Sequence, residues 1–486
     1  MNIELPIFSL AAPEITVLCM TSFILLLDVF LAKRFPELTY VLAQVTLIIG
    51  FLLTVKQYQA YPHPVITFSG SYMLDKLALL TKLFVLLTTV FAFIYARQYI
   101  RNRHIPKGEY YVLGLFSVVG MLAMASAYSL LTMYLGLELL SLSLYAMVAL
   151  QKESRAASEA AMKYFIMGAM ASGLLLYGMS MIYGMTGKIN VLDIAHTIPQ
   201  MTSYQHSVIL LGLVFILVGV IFKLGAVPFH MWVPDVYQGA PTSVTLFIAC
   251  APKIAAFCIM IRLLVEALPV MNVEWTHVLI VIAVLSMFFG NVLAIAQTNI
   301  KRMLAYSSIA HIGYMLLGII AGPNAVDGYS AAMFYITTYV IVAAGAFAVI
   351  ALLSQSGVLF EQLNDYRGLN ARHPWLAFMM LLLMFSMAGV PPTVGFFAKL
   401  GLLEALVNAH YVWLAALALL FAIIGAYYYL RIVMLMYFEE PEDTAGNTSL
   451  SITRGAMAAI TVNGTAALVL GLLPSTLIDM CRISFA

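Results

Sequence analysis

Four ionisable residues lie deep inside apolar runs of this 486-residue chain. They are Glu138, Lys223, Lys253 and Lys399. A charged side chain at the centre of a bilayer costs roughly 2.5–3.5 kcal/mol on insertion scales. A charge near the end of a span avoids this cost by reaching the interface. Glu138, Lys223 and Lys253 are too deep for that, and Lys399 belongs to the second half of a predicted broken helix, so a functional role is favoured for each of them.

Carboxylate and lysine side chains in such surroundings are suited to moving protons. Desolvation weakens the affinity of a lysine for its proton, and a nearby carboxylate restores it. A changing contact between Glu138 and Lys223 would therefore load or release one proton. Lys253 would receive that proton and pass it toward Lys399, through waters held by hydroxyl side chains and by broken-helix backbone.

Three further residues are candidate members of this path. Lys163 lies about five residues inside its span, so reaching out toward the cytoplasm is the alternative to a role in transfer. His311 titrates near neutral pH and suits a proton relay, although a lone histidine is also common as a hydrogen-bonded core residue. His230 follows Pro228 closely and would either cap broken backbone or join a water chain.

Other charges are placed less deeply. A structural role is favoured for four residues near span ends, Asp28, Arg262, Glu404 and Arg431. At the start of the third span, an interfacial role and a structural role are equally plausible for Asp75, Lys76 and Lys82.

The composition identifies lipid as the solvent of this chain. It is 63% hydrophobic and 9% charged, whereas soluble domains are about a quarter charged. The net charge of +2 gives no basic patch for nucleic acid, and the four cysteines form no C-x-x-C pair. We therefore expect no cofactor and no metal in this chain. Glu4 and Glu14 precede the first apolar run, so we interpret that run as a permanent span rather than a cleaved signal peptide.

Apolar runs of the length needed to cross a bilayer predict about fourteen transmembrane helices. The predicted spans are 11–32, 38–56, 76–97, 109–127, 129–150, 158–182, 206–226, 242–265, 276–297, 302–321, 329–353, 374–390 with a continuation to 409, 411–434 and 454–473. Fourteen Lys and Arg residues follow odd-numbered spans, against two that follow even-numbered ones. Both termini are therefore predicted on the periplasmic side.

Two short sequence matches predict an internal repeat. "AAMKYF" (160–165) resembles "AAMFYI" (331–336), and "LGAVP" (224–228) resembles "MAGVP" (387–391). Both pairs are five spans apart, and because five is odd the second copy must be inverted. The sequence thus predicts an all-α polytopic membrane protein with two inverted five-helix repeats, helices 4–8 and 9–13. The predicted domains are 1–107 with three helices, 108–270 and 271–438 with one repeat each, and 439–486 with helix 14.

Helices 7 and 12 are predicted to be broken at matching positions. Proline removes a backbone hydrogen bond and clashes with the preceding turn, while glycine makes a local bend easy. The residues concerned are Gly225, Pro228, Gly389, Pro391, Pro392 and Gly395. A simple proline kink is the alternative, but an ionisable residue near each break favours a functional break.

Three motifs resemble a known family. "FKLGAVPFHMWVPDVYQGAP", "QTNIKRMLAYSSIAHIGYM" and "AGVPPTVGFFAKL" are similar to the antiporter-like membrane subunits of respiratory complex I and of multi-subunit cation/proton antiporters. The resemblance covers roughly residues 100–440. Lys399 in the twelfth span, the absence of a long lateral helix and "DYRGLNARHP" (365–374) point to the N type within that family.

This resemblance implies roles and partners. Glu138 and Lys223 would be the coupling pair, Lys253 the central proton carrier, Lys399 the residue facing the outward exit and Lys163 a charge near the cytoplasmic side. The implied partners are the adjacent antiporter-like subunit M and small membrane subunits, within the bacterial inner membrane. NADH, FMN, iron–sulfur clusters and quinone would belong to other chains. A subunit of a sodium/proton antiporter of the same family is the alternative.

Overall fold

The structure, a computed structural model, describes residues 6–31, 34–354, 359–441 and 452–485. Glu4 lies outside these ranges. Within them, thirteen helices are long and apolar enough to cross a membrane. A further span is formed by two shorter helices in succession, which brings the number to the predicted fourteen. The predicted all-α polytopic fold is confirmed.

The first three spans are single helices, and a short hairpin separates the second from the third. Their helices are α1 (Ala12–Leu31), α2 (Leu38–Ala60) and α3 (Lys76–Asn102). A 3₁₀ turn (Phe8–Ala11) precedes α1. Between α2 and α3, strands β1 (Val65–Thr67) and β2 (Tyr72–Leu74) pair antiparallel.

The first repeat contains five spans, of which the last two are discontinuous. Its helices are α4 (Lys107–Ser126), α5 (Leu130–Val148), α6 (Arg155–Thr186), α7 (Val191–Thr197), α8 (Ser203–Leu224), α9 (Trp232–Gly239), α10 (Thr242–Ala249) and α11 (Ala251–Ile261). A 3₁₀ turn (Ile198–Gln200) follows α7, and a π-helix (Arg262–Ala267) continues α11.

The second repeat follows, and the C-terminal helices close the chain. These helices are α12 (Asn272–Ile295), α13 (Ile300–Ala321), α14 (Gly328–Leu353), α15 (Leu369–Arg372), α16 (Pro374–Ala388), α17 (Val394–Asn408), α18 (Val412–Phe438), α19 (Arg454–Leu472) and α20 (Ser475–Ile483). 3₁₀ turns lie before α12 (Pro269–Met271) and before α15 (Leu363–Tyr366).

Matching loop contacts support the inverted repeat. An isolated antiparallel bridge joins Ser129 to Asn190 in the first repeat, and another joins Asn299 to Gln362 in the second. In both repeats the bridge ties the start of the second helix, α5 or α13, to the chain that leads into the fourth helix. The two repeats therefore have the same backbone contact, an isolated antiparallel bridge, at corresponding points.

The predicted breaks in helices 7 and 12 have the same local geometry. Gly225 ends α8 and Gly389 ends α16, each in the left-handed region, with φ of 80° and 88°. Each glycine N–H, and the N–H that follows it, donates to carbonyls of the last helical turn. This glycine cap satisfies carbonyls that a helix end would leave unpaired in lipid.

The glycine caps correct the alignment of the repeats by one residue. The sequence match aligned Pro228 with Pro391. Because the glycines that end the two helices correspond, Pro228 aligns instead with Pro392.

Two other details of the breaks differ from the predictions. Gly395 is an ordinary helical residue near the start of α17 rather than a bend, and a Cβ there would lie 1.8 Å from the Ser386 carbonyl oxygen. Helix 8 was predicted as one continuous span. It is interrupted at Cys250 (φ −115°, ψ −93°), because Pro252 opens α11 and cannot continue the hydrogen bonding of α10.

The core of the bundle consists of the spans that carry the central polar residues. α10 and α11, together with α13 and α14, are enclosed by other helices along nearly their whole length. By contrast, α1 presents most of its surface outward. Polar groups on the central helices are therefore removed from lipid, and their hydrogen-bond partners are other protein groups or water.

Candidate proton-transfer site

Lys253 lies in the first turn of α11, directly after the interruption of helix 8. Its side chain is almost fully buried, at 3% exposure. The ammonium group donates to Ser308 Oγ on α13 and lies over the ring of Tyr339. The central lysine therefore meets a hydroxyl and an aromatic face rather than a carboxylate.

His311 is one helical turn after Ser308 on α13, which places both side chains on the same face. Its Nδ1 lies 2.7 Å from the Tyr335 hydroxyl, and its Nε2 lies 3.0 Å from the Tyr429 hydroxyl. Either tautomer satisfies both contacts, because each tyrosine hydroxyl can donate or accept. This arrangement suits a group that exchanges one proton between its two ring nitrogens.

Lys399 reaches back from α17 across the break in helix 12. Its Nζ donates to the carbonyl oxygens of Met387 and Ala388, at 3.1 and 2.8 Å. The negative end of the α16 dipole thus meets a cation. A cavity of about 260 Å³ is lined by both His311 and Lys399, with Ser386 and Tyr339 among its other walls. The structure therefore brings Lys253, His311 and Lys399 into one buried polar cluster.

Lys223 lies in the last turn of α8, beside the break in helix 7. Its Nζ lies 2.5 Å from Ser141 Oγ and 3.3 Å from the Tyr145 hydroxyl. Both partners are on α5, the helix that carries Glu138. Ser141 follows Glu138 by three residues and so shares its face.

Glu138 itself does not contact Lys223. Among the residues described, the hydrogen bonds of the Lys223 ammonium group go to hydroxyls and none goes to a carboxylate. The Oε1 atom of Glu138 is buried without a hydrogen-bond partner. Lys223 of α8 therefore contacts the face of α5 that carries Glu138, but the two side chains of the expected coupling pair do not contact each other in this structure.

Lys163 lies outside the buried cluster, near the start of α6. It forms ion pairs with Glu159 at 2.9 Å and with Asp235 at 2.8 Å. Its side chain is 42% exposed and lines a polar cavity of about 700 Å³. The residue thus reaches a polar vestibule rather than lipid or the central cluster.

His230 lies in the turn between α8 and α9. Its carbonyl accepts from the Val233 N–H, so the main chain rather than the ring caps α9. The ring is half-buried, and its Nδ1 is buried without a hydrogen-bond partner. The structure does not bring His230 into the cluster around Lys253.

Comparison with known proteins identifies the family to which this chain belongs. Residues 127–425 match the family described as NADH:quinone oxidoreductase/Mrp antiporter, TM. The chain belongs to this family. The predicted resemblance is confirmed.

Full-length relatives narrow the position within the antiporter-like family. The chain is 52% identical over 486 residues to NADH-quinone oxidoreductase subunit N of Coxiella burnetii, covering 99% of each chain. It is also 52% identical to subunit N of Thiobacillus denitrificans, covering 99% of this chain and 98% of the relative. The predicted N type is therefore confirmed.

Solved structures agree in fold. A chain of respiratory complex I from Thermus thermophilus with bound aureothin is 32% identical, with a TM-score of 0.79 over 96% of this chain and 98% of the other. A chain of the Mrp complex from Dietzia sp. is 19% identical, with a TM-score of 0.85 over 98% and 97%. At that identity the second likeness shows the antiporter-like fold alone.

Sequence reasoning missed the neutral partners of this antiporter-like site. Ser308 accepts a hydrogen bond from Lys253, and Ser141 accepts one from Lys223. The hydroxyls of Tyr335 and Tyr429 are hydrogen-bonded to the ring of His311. A signal was present, because "YSSIAHIGYM" puts two serines one turn before His311. The tyrosines gave no such signal, since aromatic residues are frequent throughout the spans. Asp235 was also missed, although it lies within the first family motif.

Proposed function

We propose that this chain translocates protons as subunit N of a bacterial NADH–quinone oxidoreductase. One observation carries the proposal: Lys253, Ser308, His311 and Lys399 form a buried polar cluster that runs between the interruption of helix 8 and the break of helix 12. A structural bundle has no need of two lysines and a histidine in its core, because each costs several kcal/mol to bury.

Lys223 is the residue whose protonation controls the loading of the cluster. In the structure its ammonium group is held by neutral hydroxyls on α5, which can accept from a protonated lysine or donate to a neutral one. Approach of the Glu138 carboxylate would favour the protonated state, and its withdrawal would favour release. The coupling signal is thus a change in the separation of these two side chains.

The proton then moves along the cluster to Lys399. Lys253 takes up the proton as an ammonium group and passes it to Ser308, whose hydroxyl both accepts and donates. His311 carries it between Tyr429 and Tyr335 toward the cavity shared with Lys399. From Lys399 the proton leaves toward the periplasmic side, given the orientation predicted from the loop charges.

Partners supply the energy in this proposal. The chain lies in the inner membrane beside subunit M and small membrane subunits, with both termini in the periplasm. NADH, FMN, iron–sulfur clusters and quinone are held by other chains, and this chain carries no redox centre. The identity of 52% to full-length subunit N relatives supports this assignment over a sodium/proton antiporter subunit.

The test is Lys223→Ala in the assembled complex, reconstituted into liposomes. We expect proton uptake driven by NADH oxidation to fall by about a hundredfold or more, which is the low end of what one proton-transfer group contributes. Lys152→Ala is the matched control, since Lys152 is an exposed loop lysine whose loss should change nothing. Normal NADH oxidation and normal pumping in Lys223→Ala would refute the proposal.

Purification separates the two functions of the family. Recovery of the chain with flavin and iron–sulfur subunits supports the respiratory assignment. Recovery with membrane subunits alone, together with sodium-dependent proton exchange in vesicles, would support the antiporter instead.

A further inference from the structure

The short helix α9 separates the polar vestibule from the Lys253 cluster. Successive helical residues are about 100° apart, so Asp235 and Tyr237 point to nearly opposite sides of α9. Asp235 lines the vestibule with its side chain 31% exposed, whereas Tyr237 is fully buried. One short helix therefore has a charged outer side and a buried inner side.

Asp235 fastens α9 to a helix of each repeat. Its Oδ2 accepts from Lys163 Nζ on α6 at 2.8 Å, and its Oδ1 accepts from Arg302 Nη1 on α13 at 2.8 Å. Arg302 also donates to Gln238 of α9 at 3.1 Å. A single carboxylate thus holds α9 against both halves of the molecule.

The vestibule in front of α9 is built from charged groups of several elements. In addition to Lys163, Asp235 and Arg302, its walls include Glu159 of α6 and Glu361 of the loop before α15. This volume of about 700 Å³ is polar enough to hold ordered water. The vestibule therefore offers a reservoir of protons on the side of the molecule where α6 begins.

The inner side of α9 faces the transfer cluster. Among the described residues, the buried Tyr237 hydroxyl has no partner at standard hydrogen-bond geometry, and the Ser308 hydroxyl is near enough to interact with it. The Ser308 hydroxyl accepts the hydrogen bond from the Lys253 ammonium group. A buried hydroxyl in this position is suited to a water-mediated link between the vestibule and Lys253.

We propose that Asp235 is the positioning residue of an inner gate formed by α9. Its ion pairs with Lys163 and Arg302 hold α9 closed, and loosening them lets a proton pass from vestibule water along Tyr237 and Ser308 to Lys253. This inference rests on the proposed function. The step is proton transfer alone: an O–H bond of vestibule water breaks, and an N–H bond forms on the neutral amine of Lys253.

Position along the chain links this gate to the loading lysine. α9 begins seven residues after Gly225, and Lys223 lies two residues before that glycine. A shift of the end of α8 is therefore transmitted directly to the short helix. Loading at Lys223 and opening of the gate would then be parts of one movement.

The rates at which the native cysteines are alkylated measure whether the gate is open. Cys250 is fully buried and precedes Lys253 by three residues, Cys481 is fully buried in α20, and Cys19 is exposed. The assembled complex carrying Asp235→Asn would be treated with N-ethylmaleimide, and alkylation of each cysteine followed by peptide mass spectrometry. We expect Cys250 to react about tenfold faster than in the unaltered complex, the effect of losing two partly exposed ion pairs. Cys19 and Cys481 should react as before.

Control variants make the test specific. Asp235→Glu keeps the charge and should restore slow alkylation of Cys250. Asp327→Asn removes a comparable carboxylate, bound by Arg482 at 3.0 and 3.1 Å elsewhere on the surface, and should leave Cys250 protected. If Asp235→Asn does not assemble, Arg302→Gln, which removes one of the two ion pairs, takes its place.

Two results would overturn the gate. One is unchanged alkylation of Cys250, and the other is an equal rise at Cys481, which would indicate general loosening. Lys253→Ala is tested in parallel for proton pumping. Loss of pumping there with a normal Cys250 in Asp235→Asn would refute the gate and retain the proposed function, whereas normal pumping in Lys253→Ala would refute the function itself.

Discussion

The lysines of the proposed path differ in the groups that accept hydrogen bonds from their ammonium groups, and this difference bears on what each lysine can do. Lys223 and Lys253 donate to hydroxyls, while Lys399 donates to main-chain carbonyls. A hydroxyl both accepts and donates, whereas a carbonyl only accepts. The first two lysines are therefore placed for handing a proton onward, and Lys399 is placed for holding one at a helix end.

Ser308→Ala tests this distinction at a single atom. Without the hydroxyl, the Lys253 ammonium group loses its hydrogen-bond acceptor, and transfer toward His311 loses its intermediate. We expect NADH-driven proton uptake in liposomes to fall by at least about tenfold. Thr89→Ala is the control, because the buried Thr89 hydroxyl donates only to the Val85 carbonyl of its own helix. Equal pumping by both variants would exclude Ser308 from the path.

Residue depth in the sequence identified the lysines, but it could not identify their partners. Lys253 and Ser308 are far apart along the chain, and a serine in an apolar span has little effect on hydropathy. The separation of Glu138 and Lys223 also could not be predicted, since it depends on how far α8 extends before Gly225. The distance between side chains on different helices depends on how the helices pack, and the hydropathy pattern of the sequence does not give that packing.

At the scale of elements, the site depends on where helices stop. The breaks after α8 and α16 were predictable, because glycine and proline stand together near an ionisable residue. The interruption at Cys250 was not predicted, because a single proline such as Pro252 in a continuous apolar run indicates a kink rather than a break. All three discontinuities adjoin a lysine of the proposed path, which suggests that an exposed helix end is part of each lysine's environment.

Gly225→Ala should damage the break in helix 7. The left-handed conformation costs a residue with a Cβ about 1–2 kcal/mol, and the added atom would lie 2.6 Å from Val233 Cγ2 of α9. We expect a lower thermal unfolding midpoint and reduced pumping in the purified complex. Gly184→Ala is the control, because Gly184 lies within α6 with open space around it, and alanine there should be neutral or stabilise by up to about 1 kcal/mol. A normal midpoint and normal pumping in Gly225→Ala would contradict this account.

At the scale of the whole molecule, one buried charge cluster joins two of the first three helices to each other, and a second connects these helices to the first repeat. Lys82 of α3, fully buried, pairs with Glu14 of α1 at 2.5 Å. Arg262, also fully buried, pairs with Asp75 at 2.7 Å and with Glu266 at 2.7 Å. The burial of Lys82 excludes the interfacial role that the sequence left open. Arg262 continues the helix that carries Lys253, so the N-terminal helices brace the central span.

Glu14→Gln should therefore destabilise the assembled chain. Removing one partner of a buried ion pair leaves the other charge uncompensated, at a cost of about 3–5 kcal/mol. Glu37→Gln is the control, since the Arg97 and Lys107 partners of Glu37 are partly exposed and the loss should be below about 1 kcal/mol. Thermal unfolding of the detergent-solubilised complex measures both. Similar midpoints for the two variants would show that the Glu14 pair adds no stability.

The interruption at Cys250 and the break at Gly389 lie inside their spans, and this placement has an electrical consequence. The proposed path passes from α11, which carries Lys253, to α13, which carries Ser308 and His311, and then to α17, which carries Lys399, so the proton moves between helices. A charge that moves in the plane of the membrane does no work against the transmembrane voltage, which costs about 2.3 kcal/mol per charge per 100 mV only for motion along the normal. The load of the voltage therefore falls on the steps that lead into and out of this layer, and the sideways transfers between lysines proceed at nearly constant potential.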